Sequence, residues 1–177
     1  MKLKKALSFI AIAIMTITLV QAQSDKIKKF ESIAGKFKIQ FTKIPAQTNN
    51  VIDLQDGKKS TMYQFSEETS TKASMISYND YPESIMASLV IDDALKNAMK
   101  GFVKSLELTI TSQKDVLVYR GSKSYKCLLY KASKKDMYCV VKVIIVGNRM
   151  YQIVEMNIEK EVSETDINNF IGSFELL

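Results

Sequence analysis

The sequence predicts a single α+β domain that follows a cleavable leader. Three observations carry this prediction: a basic and then apolar N-terminus, many segments in which apolar and polar residues alternate, and three segments with helical spacing. Residues 23–177 have the length of one typical domain, and no low-complexity tract or internal repeat divides them. We therefore expect a signal peptide at 1–22 and one domain at 23–177.

The leader has the three parts of an export signal. Residues 1–5 are basic, residues 6–20 are apolar, and Ala22 supplies the small residue of a cleavage site before Gln23. The apolar run is shorter than the about 20 residues of a membrane-spanning helix, so we expect cleavage rather than anchoring. The expected location of the mature protein is the periplasm or the outside of the cell.

The charge left after cleavage argues against nucleic acid as a partner. Three lysines and no acidic residue leave with the leader, which lowers the net charge from +6 to +3. The remaining charges are scattered, as on an ordinary solvated surface. The short basic stretch 26–30 gives only a weak case for contact with a membrane surface. We expect no nucleic acid and no stable membrane anchor.

The domain reads as helices at both ends of a run of strands, with one helix in the middle. Helical spacing predicts helices at 24–35, where Gly35 is the expected stop, at 92–104, where Asp92 is the expected cap, and after Ser163, where Asp166 completes an approximate capping box. Asn49-Asn50 predicts a turn. Alternation predicts strands at 37–41, 51–54, 62–65, 75–78, 108–112, 115–120, 125–131, 137–146 and 150–158.

The clearest local feature is the tetrapeptide Val146-Gly147-Asn148-Arg149 between two apolar runs. Gly-Asn in this setting is typical of a two-residue hairpin turn, because glycine supplies the positive φ that the first turn position needs. Folding about this turn places Ile145 opposite Met150.

The same register makes both faces of the strand 138–146 largely apolar. Such a strand belongs in the middle of a sheet, with another layer on each side. Lys142 interrupts the apolar pattern, and Glu155 on the neighbouring strand is its expected partner on the same face.

Four stretches follow one another along the domain in an order that resembles a known fold. They are Phe37-Lys38-Ile39-Gln40-Phe41 with Pro45, Met75-Ile76-Ser77-Tyr78-Asn79-Asp80-Tyr81-Pro82, Val146-Gly147-Asn148-Arg149-Met150-Tyr151-Gln152-Ile153 and Phe170-Ile171-Gly172-Ser173-Phe174-Glu175-Leu176. The order resembles small exported bacterial proteins of the PsbP-like fold, which a photosystem II extrinsic subunit and a nuclear-import Ran-binding protein share. The resemblance implies a central antiparallel sheet sandwiched between helices.

The residue types present exclude several kinds of catalysis. The chain has no histidine, which removes Ser-His-Asp and Cys-His catalysis and the usual zinc sites, and two cysteines cannot form a four-thiolate site. Asp92 and Asp93 are read as helix capping and dipole compensation, and Glu67 and Glu68 as a polar loop. With Asp80 these are the carboxylates that remain for acid–base chemistry. We predict no catalytic residue, no cofactor and no metal ligand.

The two cysteines are a candidate structural disulfide. If Ser133 is the centre of a turn, Cys127 and Cys139 fall directly opposite each other on one face of a hairpin, close to the geometry of a bond. Two buried free thiols in a shifted register are the alternative. The sequence leaves both open.

These observations favour an exported, non-catalytic accessory or binding domain, monomeric, with a protein partner in the envelope or outside the cell. One alternative is a periplasmic carrier of a small apolar ligand, which needs an apolar cavity between helix and sheet. The other is a histidine-independent carboxylate enzyme, which needs buried carboxylates gathered at a cleft.

Overall fold

The computed structural model describes residues 28–54 and 57–177, so the leader and its cleavage site at Ala22 and Gln23 lie outside the described residues. The helices are α1 (Glu83–Met86), α2 (Ile91–Leu106) and α3 (Glu164–Asn169), and a 3-10 helix follows at Ile171–Ser173. The strands are β1 (Lys28–Ser32), β2 (Phe37–Phe41), β3 (Ala46–Asp53), β4 (Lys59–Glu68), β5 (Lys72–Asp80), β6 (Thr109–Arg120), β7 (Lys123–Lys134), β8 (Met137–Val146), β9 (Arg149–Asn157) and β10 (Glu175–Leu176). Within these residues no helix is both long and apolar enough to cross a membrane.

The strands form two antiparallel sheets. The larger sheet has seven strands in the order β3-β4-β5-β9-β8-β7-β6, and the smaller has three in the order β1-β2-β10. Strand β8 lies inside the larger sheet between β7 and β9, as its two apolar faces predicted. The hairpin prediction is confirmed, because Gly147 has φ +60° and Ile145 pairs with Met150 across the turn.

The two faces of the larger sheet carry separate cores. One face of the larger sheet, the aromatic face, packs against the smaller sheet and α3. The buried residues of the aromatic core between them include Phe37, Phe41, Phe65, Ile76, Tyr78, Tyr151, Ile153, Phe170 and Phe174. The other face, the helix face, packs against α2. The buried residues of the helix core between them include Leu95, Met99, Leu128, Tyr130, Val141, Val143, Val154 and Met156. The expected sandwich between helices is therefore only half right, because a second sheet covers most of the aromatic face.

The predicted helix at 24–35 is wrong over its described part. Residues Lys28–Ser32 are strand β1, which pairs with β2 so that Phe30 lies opposite Ile39. Pairing with a neighbouring strand overrides a local helical pattern when it buries an aromatic ring such as Phe30 against the core. Gly35 ends no helix. It lies in the tight turn between the two strands, where a Cβ would stand 2.5 Å from the Phe37 ring.

Two other local predictions differ from the structure. Asn49-Asn50 forms no turn but lies inside β3, an edge strand whose pairing with β4 fixes its extended backbone. The strands expected at 108–112 and 115–120 are one strand, β6, with an irregularity in register between Ile110 and Ser112. The helix start at Ser163 is confirmed, since its hydroxyl accepts a hydrogen bond from the Asp166 amide at 3.1 Å.

Candidate functional site

Asp80 forms an ion pair with Arg149, which connects three parts of the fold. Its two carboxylate oxygens accept hydrogen bonds from Arg149 at 2.6 Å and 2.7 Å, the bidentate geometry of strong ion pairs. The same guanidinium donates to the carbonyl of Ala34 at 2.6 Å and lies 4.5 Å from the centre of the Tyr78 ring. Arg149 on β9 thus joins Asp80 on β5 to the β1–β2 turn.

Asp92 and Asp93 lie in the first turn of α2, but neither caps it. The N-cap is Val90, which offers no side-chain acceptor, so the capping prediction is wrong while the placement near the helix dipole holds. Asp92 accepts a hydrogen bond from Lys126 on β7 at 2.9 Å, and this contact lowers the pKa of Asp92. Asp92 therefore ties α2 to the sheet.

Glu67 and Glu68 end strand β4 instead of forming a loop. The Glu67 Oε2 atom accepts hydrogen bonds from the Thr42 amide at 2.9 Å, the Thr42 hydroxyl at 3.0 Å and the Lys43 amide at 3.0 Å. This carboxylate fixes the chain where it leaves β2. Lys43 in turn donates to the Glu68 carbonyl at 3.0 Å.

The cysteines are both free and buried, so the candidate disulfide does not form. The hairpin turns at Lys135 and Asp136, not at Ser133, so Cys127 pairs with Ile144 while Cys139 pairs with Ala132. This shift of the turn puts the two thiols on opposite faces of the sheet. Burial raises the pKa of Cys127 to about 11 and that of Cys139 to about 12.

Lys142 and Glu155 do not form the expected pair. Lys142 donates to the carbonyl oxygen of Ile171 in the 3-10 helix at 2.8 Å, and burial lowers its pKa. Lys142 pairs with Ile153, and Glu155 pairs with Val140. The two charged residues are therefore diagonal neighbours on the same face of the sheet. Lys142 thus binds the backbone at the start of the 3-10 helix instead of pairing with Glu155.

Glu155 is the residue at which the structure adds most to the sequence. The side chain is 3% exposed, and its Oε2 atom has no hydrogen-bond partner among the described residues. Burial raises the pKa of Glu155 to about 7; the Ser74 hydroxyl acts against that rise, and the charge of Asp166 adds to it. An acid inside the otherwise apolar run Ile153-Val154-Glu155-Met156 was the signal in the sequence.

Glu155 lines a polar pocket at the rim of the aromatic face, with a volume of about 200 Å³. Within it Lys72 and Asp166 form an ion pair at 2.8 Å. The pocket lies between the end of β2, the β4–β5 hairpin and α3. Its lining, hereafter the polar pocket, is Gln40, Thr42, Lys43, Glu67, Glu68, Thr69, Lys72, Ser74, Glu155, Asp166, Asn169 and Phe170.

An apolar groove lies on the other side of the larger sheet, between α2 and strands β4, β5 and β9. It forms because α2 packs mainly over β7 and β8 and leaves part of the helix face open. Its volume is about 200 Å³, and its lining, hereafter the apolar groove, is Met62, Gln64, Ser66, Glu68, Ala73, Met75, Ser77, Phe102, Ser105, Leu106, Gln152, Val154 and Met156.

No protein-family model matches the chain, and no curated protein matches it in sequence at a significant level. Solved structures do match. The solution structure of cyanobacterial PsbP (CyanoP) from Synechocystis sp. PCC 6803 aligns with a TM-score of 0.55 at 7% identity, covering 90% of this chain and 98% of that one. A crystal structure from Bacteroides thetaiotaomicron VPI-5482 is 17% identical with a TM-score of 0.44, covering 85% of this chain and 48% of that one. The likeness to CyanoP shows that the domain has the PsbP-like fold.

Proposed function

We propose that this chain is an exported, non-catalytic accessory domain that binds a protein partner in the envelope or outside the cell. The observation that carries the proposal is the fold, which is shared with nearly the whole of the cyanobacterial PsbP structure. Structural neighbours of this kind point to an accessory, non-catalytic domain.

Three of the carboxylates that could serve in acid–base chemistry have structural partners, which supports the same proposal. Asp80 is held by Arg149, Asp92 by Lys126, and Glu67 by the backbone after β2. The raised pKa of each thiol keeps it protonated, and a nucleophilic cysteine needs the thiolate. A carboxylate enzyme would need a second available carboxyl beside Glu155, whereas neighbouring Asp166 is paired with Lys72.

The exported part of the proposal is tested at the N-terminus. Protein recovered from the envelope and the medium of its native host is fractionated, and its first residue is determined by N-terminal sequencing. We expect Gln23 in a fraction released without detergent. An intact Met1 in the membrane fraction contradicts export with cleavage.

The partner is tested by affinity capture with residues 23–177, which contain every described element. Immobilised protein is exposed to a native envelope extract, and the untagged domain is added as competitor. We expect one protein that is retained at constant stoichiometry and released by the competitor. The absence of any competed protein contradicts the accessory role.

The apolar groove favours one second candidate, a carrier of a small apolar ligand. Its lining is rich in methionine with one aromatic ring, and such flexible side chains adapt to varied apolar ligands. Native mass spectrometry of the protein from its host tests this. A carrier retains a small apolar molecule that Ala73→Trp, which fills the groove, displaces. Val51→Trp on the exposed edge strand β3 is the matched control and leaves it bound.

A further inference from the structure

The ends of three hairpins meet at one end of the larger sheet and surround a third pocket. The hairpins are β1–β2, β6–β7 and β8–β9, and the volume between their turns is about 340 Å³. The pocket is therefore larger than the polar pocket or the apolar groove. Its lining, hereafter the turn pocket, includes Lys36, Asp80, Arg120, Tyr125 and Arg149.

Two positive charges of the turn pocket have no negative partner. Asp80 and Arg149 neutralise each other, because both oxygens of the carboxylate accept hydrogen bonds from the guanidinium, at 2.6 Å and 2.7 Å. Lys36 and Arg120 are exposed, and neither forms an ion pair with another described residue. A ligand in the turn pocket can therefore reach both of these cations.

The fold fixes the backbone from which the two cations project. The Tyr151 hydroxyl donates a hydrogen bond to the Gly35 carbonyl at 2.8 Å, which anchors the turn that carries Lys36. Arg120 pairs with Lys123 at the end of the β6–β7 hairpin. The two cations thus belong to separate hairpins that are already in place, and a site formed in advance costs little to organise when a ligand binds.

The donors of the turn pocket suit a carboxylate better than a phosphate. The Arg120 guanidinium presents a planar fork that matches the two oxygens of a carboxylate, and the Lys36 ammonium adds a point charge. Tyr125 adds a hydroxyl donor. Phosphate sites commonly use the N-terminus of a helix, and no described helix begins in this lining.

We propose that the turn pocket binds the carboxylate of an aspartate or glutamate side chain on the protein partner, with Arg120 as its principal donor and Lys36 as the second cation. This inference rests on the proposed function, because it requires a protein partner. Arginine is common among the residues that contribute most of the binding energy of a protein interface. The volume of about 340 Å³ admits the stem of the acidic side chain together with its carboxylate.

Binding is measured by NMR titration of residues 23–177 with four probes. N-acetyl-glutamate amide represents a protein acid, and N-acetyl-glutamine amide is its uncharged match. Acetate represents a small free acid, and ethyl phosphate represents a phosphate. We expect the glutamate probe to shift the amide signals of the β1–β2 and β6–β7 turns and the glutamine probe to leave them unchanged. Equal binding of the glutamine probe, or tighter binding of acetate or ethyl phosphate, overturns the proposal.

The variants Arg120→Gln and Lys36→Gln each remove one positive charge from the turn pocket. Both side chains are exposed, so we expect the fold to persist, and the circular dichroism spectrum checks this. Each variant should weaken binding of the glutamate probe roughly fivefold, the effect of losing one exposed ion pair. Lys114→Gln makes the same charge change on β6 outside the lining and should leave binding unchanged. Unchanged affinity in both pocket variants, or an equal loss in Lys114→Gln, overturns the proposal.

The end of the protein used in the titration supplies a further test. Leu177 lines the turn pocket, and in residues 23–177 it carries a terminal carboxylate that competes with the probe for the two cations. Amidation of this end removes the competing charge, so we expect the glutamate probe to bind more tightly. Weaker binding after amidation contradicts a site built on positive charge.

Affinity capture separates this inference from the proposed function. The partner retained by wild-type residues 23–177 is compared with that retained by the double variant Lys36→Gln/Arg120→Gln. We expect the double variant to lose most of the partner and Lys114→Gln to retain it. Equal retention by the double variant overturns the turn pocket as the docking site and leaves the accessory role standing. Capture of no partner by any form contradicts the proposed function and, with it, a partner side chain as the occupant.

Discussion

The aromatic face of the larger sheet is covered by a second sheet and α3, whereas the helix face is covered mainly by α2, with Met86 of α1 beside it. On the aromatic face, aromatic rings from both sheets pack against one another, and the Tyr151 hydroxyl donates a hydrogen bond to the Gly35 carbonyl at 2.8 Å. On the helix face, the apolar groove is open beside the helix. The fully covered face therefore contributes mainly to stability, whereas the partly covered face leaves apolar surface that a ligand can reach. The predictions below test that difference.

The largest effect is expected at Phe37 on strand β2, at the centre of the aromatic core. Its ring is fully buried and packs against five others, those of Phe30, Phe65, Tyr78, Tyr151 and Phe174. Phe37→Ala is expected to lower the free energy of unfolding by about 3–5 kcal/mol, because this cavity cannot collapse. Urea denaturation measures the loss.

Met99→Ala is the counterpart on the helix face. Met99 is 5% exposed, and we expect a loss near the lower end of the about 2–5 kcal/mol known for such changes, because α2 can settle on the sheet. An equal or larger loss at Met99 would show that the two faces are sealed alike.

The next effect is a pH dependence caused by Glu155. Its pKa is about 7 in the folded protein and near the ordinary 4.5 in the unfolded chain, so the folded state holds a proton that the unfolded state releases. Its contribution to stability is fully present below pH 4.5 and is lost as the pH rises through 7. Glu155→Gln should therefore gain about 3 kcal/mol relative to wild type between pH 4.5 and 8.

Denaturation curves of the two proteins at several pH values measure this gain, with Glu83→Gln as the control for a simple loss of charge. A constant difference between Glu155→Gln and wild type across the range would mean that water fully solvates the carboxyl. The rim of the aromatic face would then be as open as the apolar groove.

Two glycine-to-alanine substitutions are expected to change stability by smaller amounts and in opposite directions. A Cβ at Gly35 would stand 2.5 Å from the Phe37 ring, whereas a Cβ at Gly101 on α2 meets nothing within 4 Å. Gly35→Ala should cost about 1–3 kcal/mol by forcing the aromatic core apart. Gly101→Ala should stabilise α2 by up to about 1 kcal/mol. Thermal melts of both variants compare them, and a loss at Gly101 would contradict the open helix surface.

Regular patterns were sufficient for the middle of the larger sheet. The Gly147-Asn148 turn set the register of β8 and β9, and helical spacing located α2, since each rests on contacts between near neighbours in sequence. Strand β1 was missed because its partner contacts, such as Phe30 with Phe65, come from the tertiary fold. The second sheet on the aromatic face could not be predicted without them.

The candidate site was harder to predict for a related reason. Glu155 was noticed only as a neighbour of Lys142, because strand pairing alone places the two on one face. Its true surroundings come from β4, β5 and α3, which are far apart in sequence, and burial by all three raises its pKa. Charge pattern within one hairpin contains no information about such convergence.

The smallest effect is expected at the thiols, one on each face of the sheet. Cys127 belongs to the aromatic core and Cys139 to the helix core, so no bond can join them while the sheet is intact. Reductant should leave the melting temperature unchanged, and both thiols should react with a maleimide only after unfolding, because burial keeps them protonated. Faster labelling of Cys139 than of Cys127 in the native protein would sharpen the comparison, since it would show α2 lifting from its face while the aromatic layer stays closed. A melting temperature that falls on reduction would contradict the register of β7 and β8, and with it the separation of the two cores.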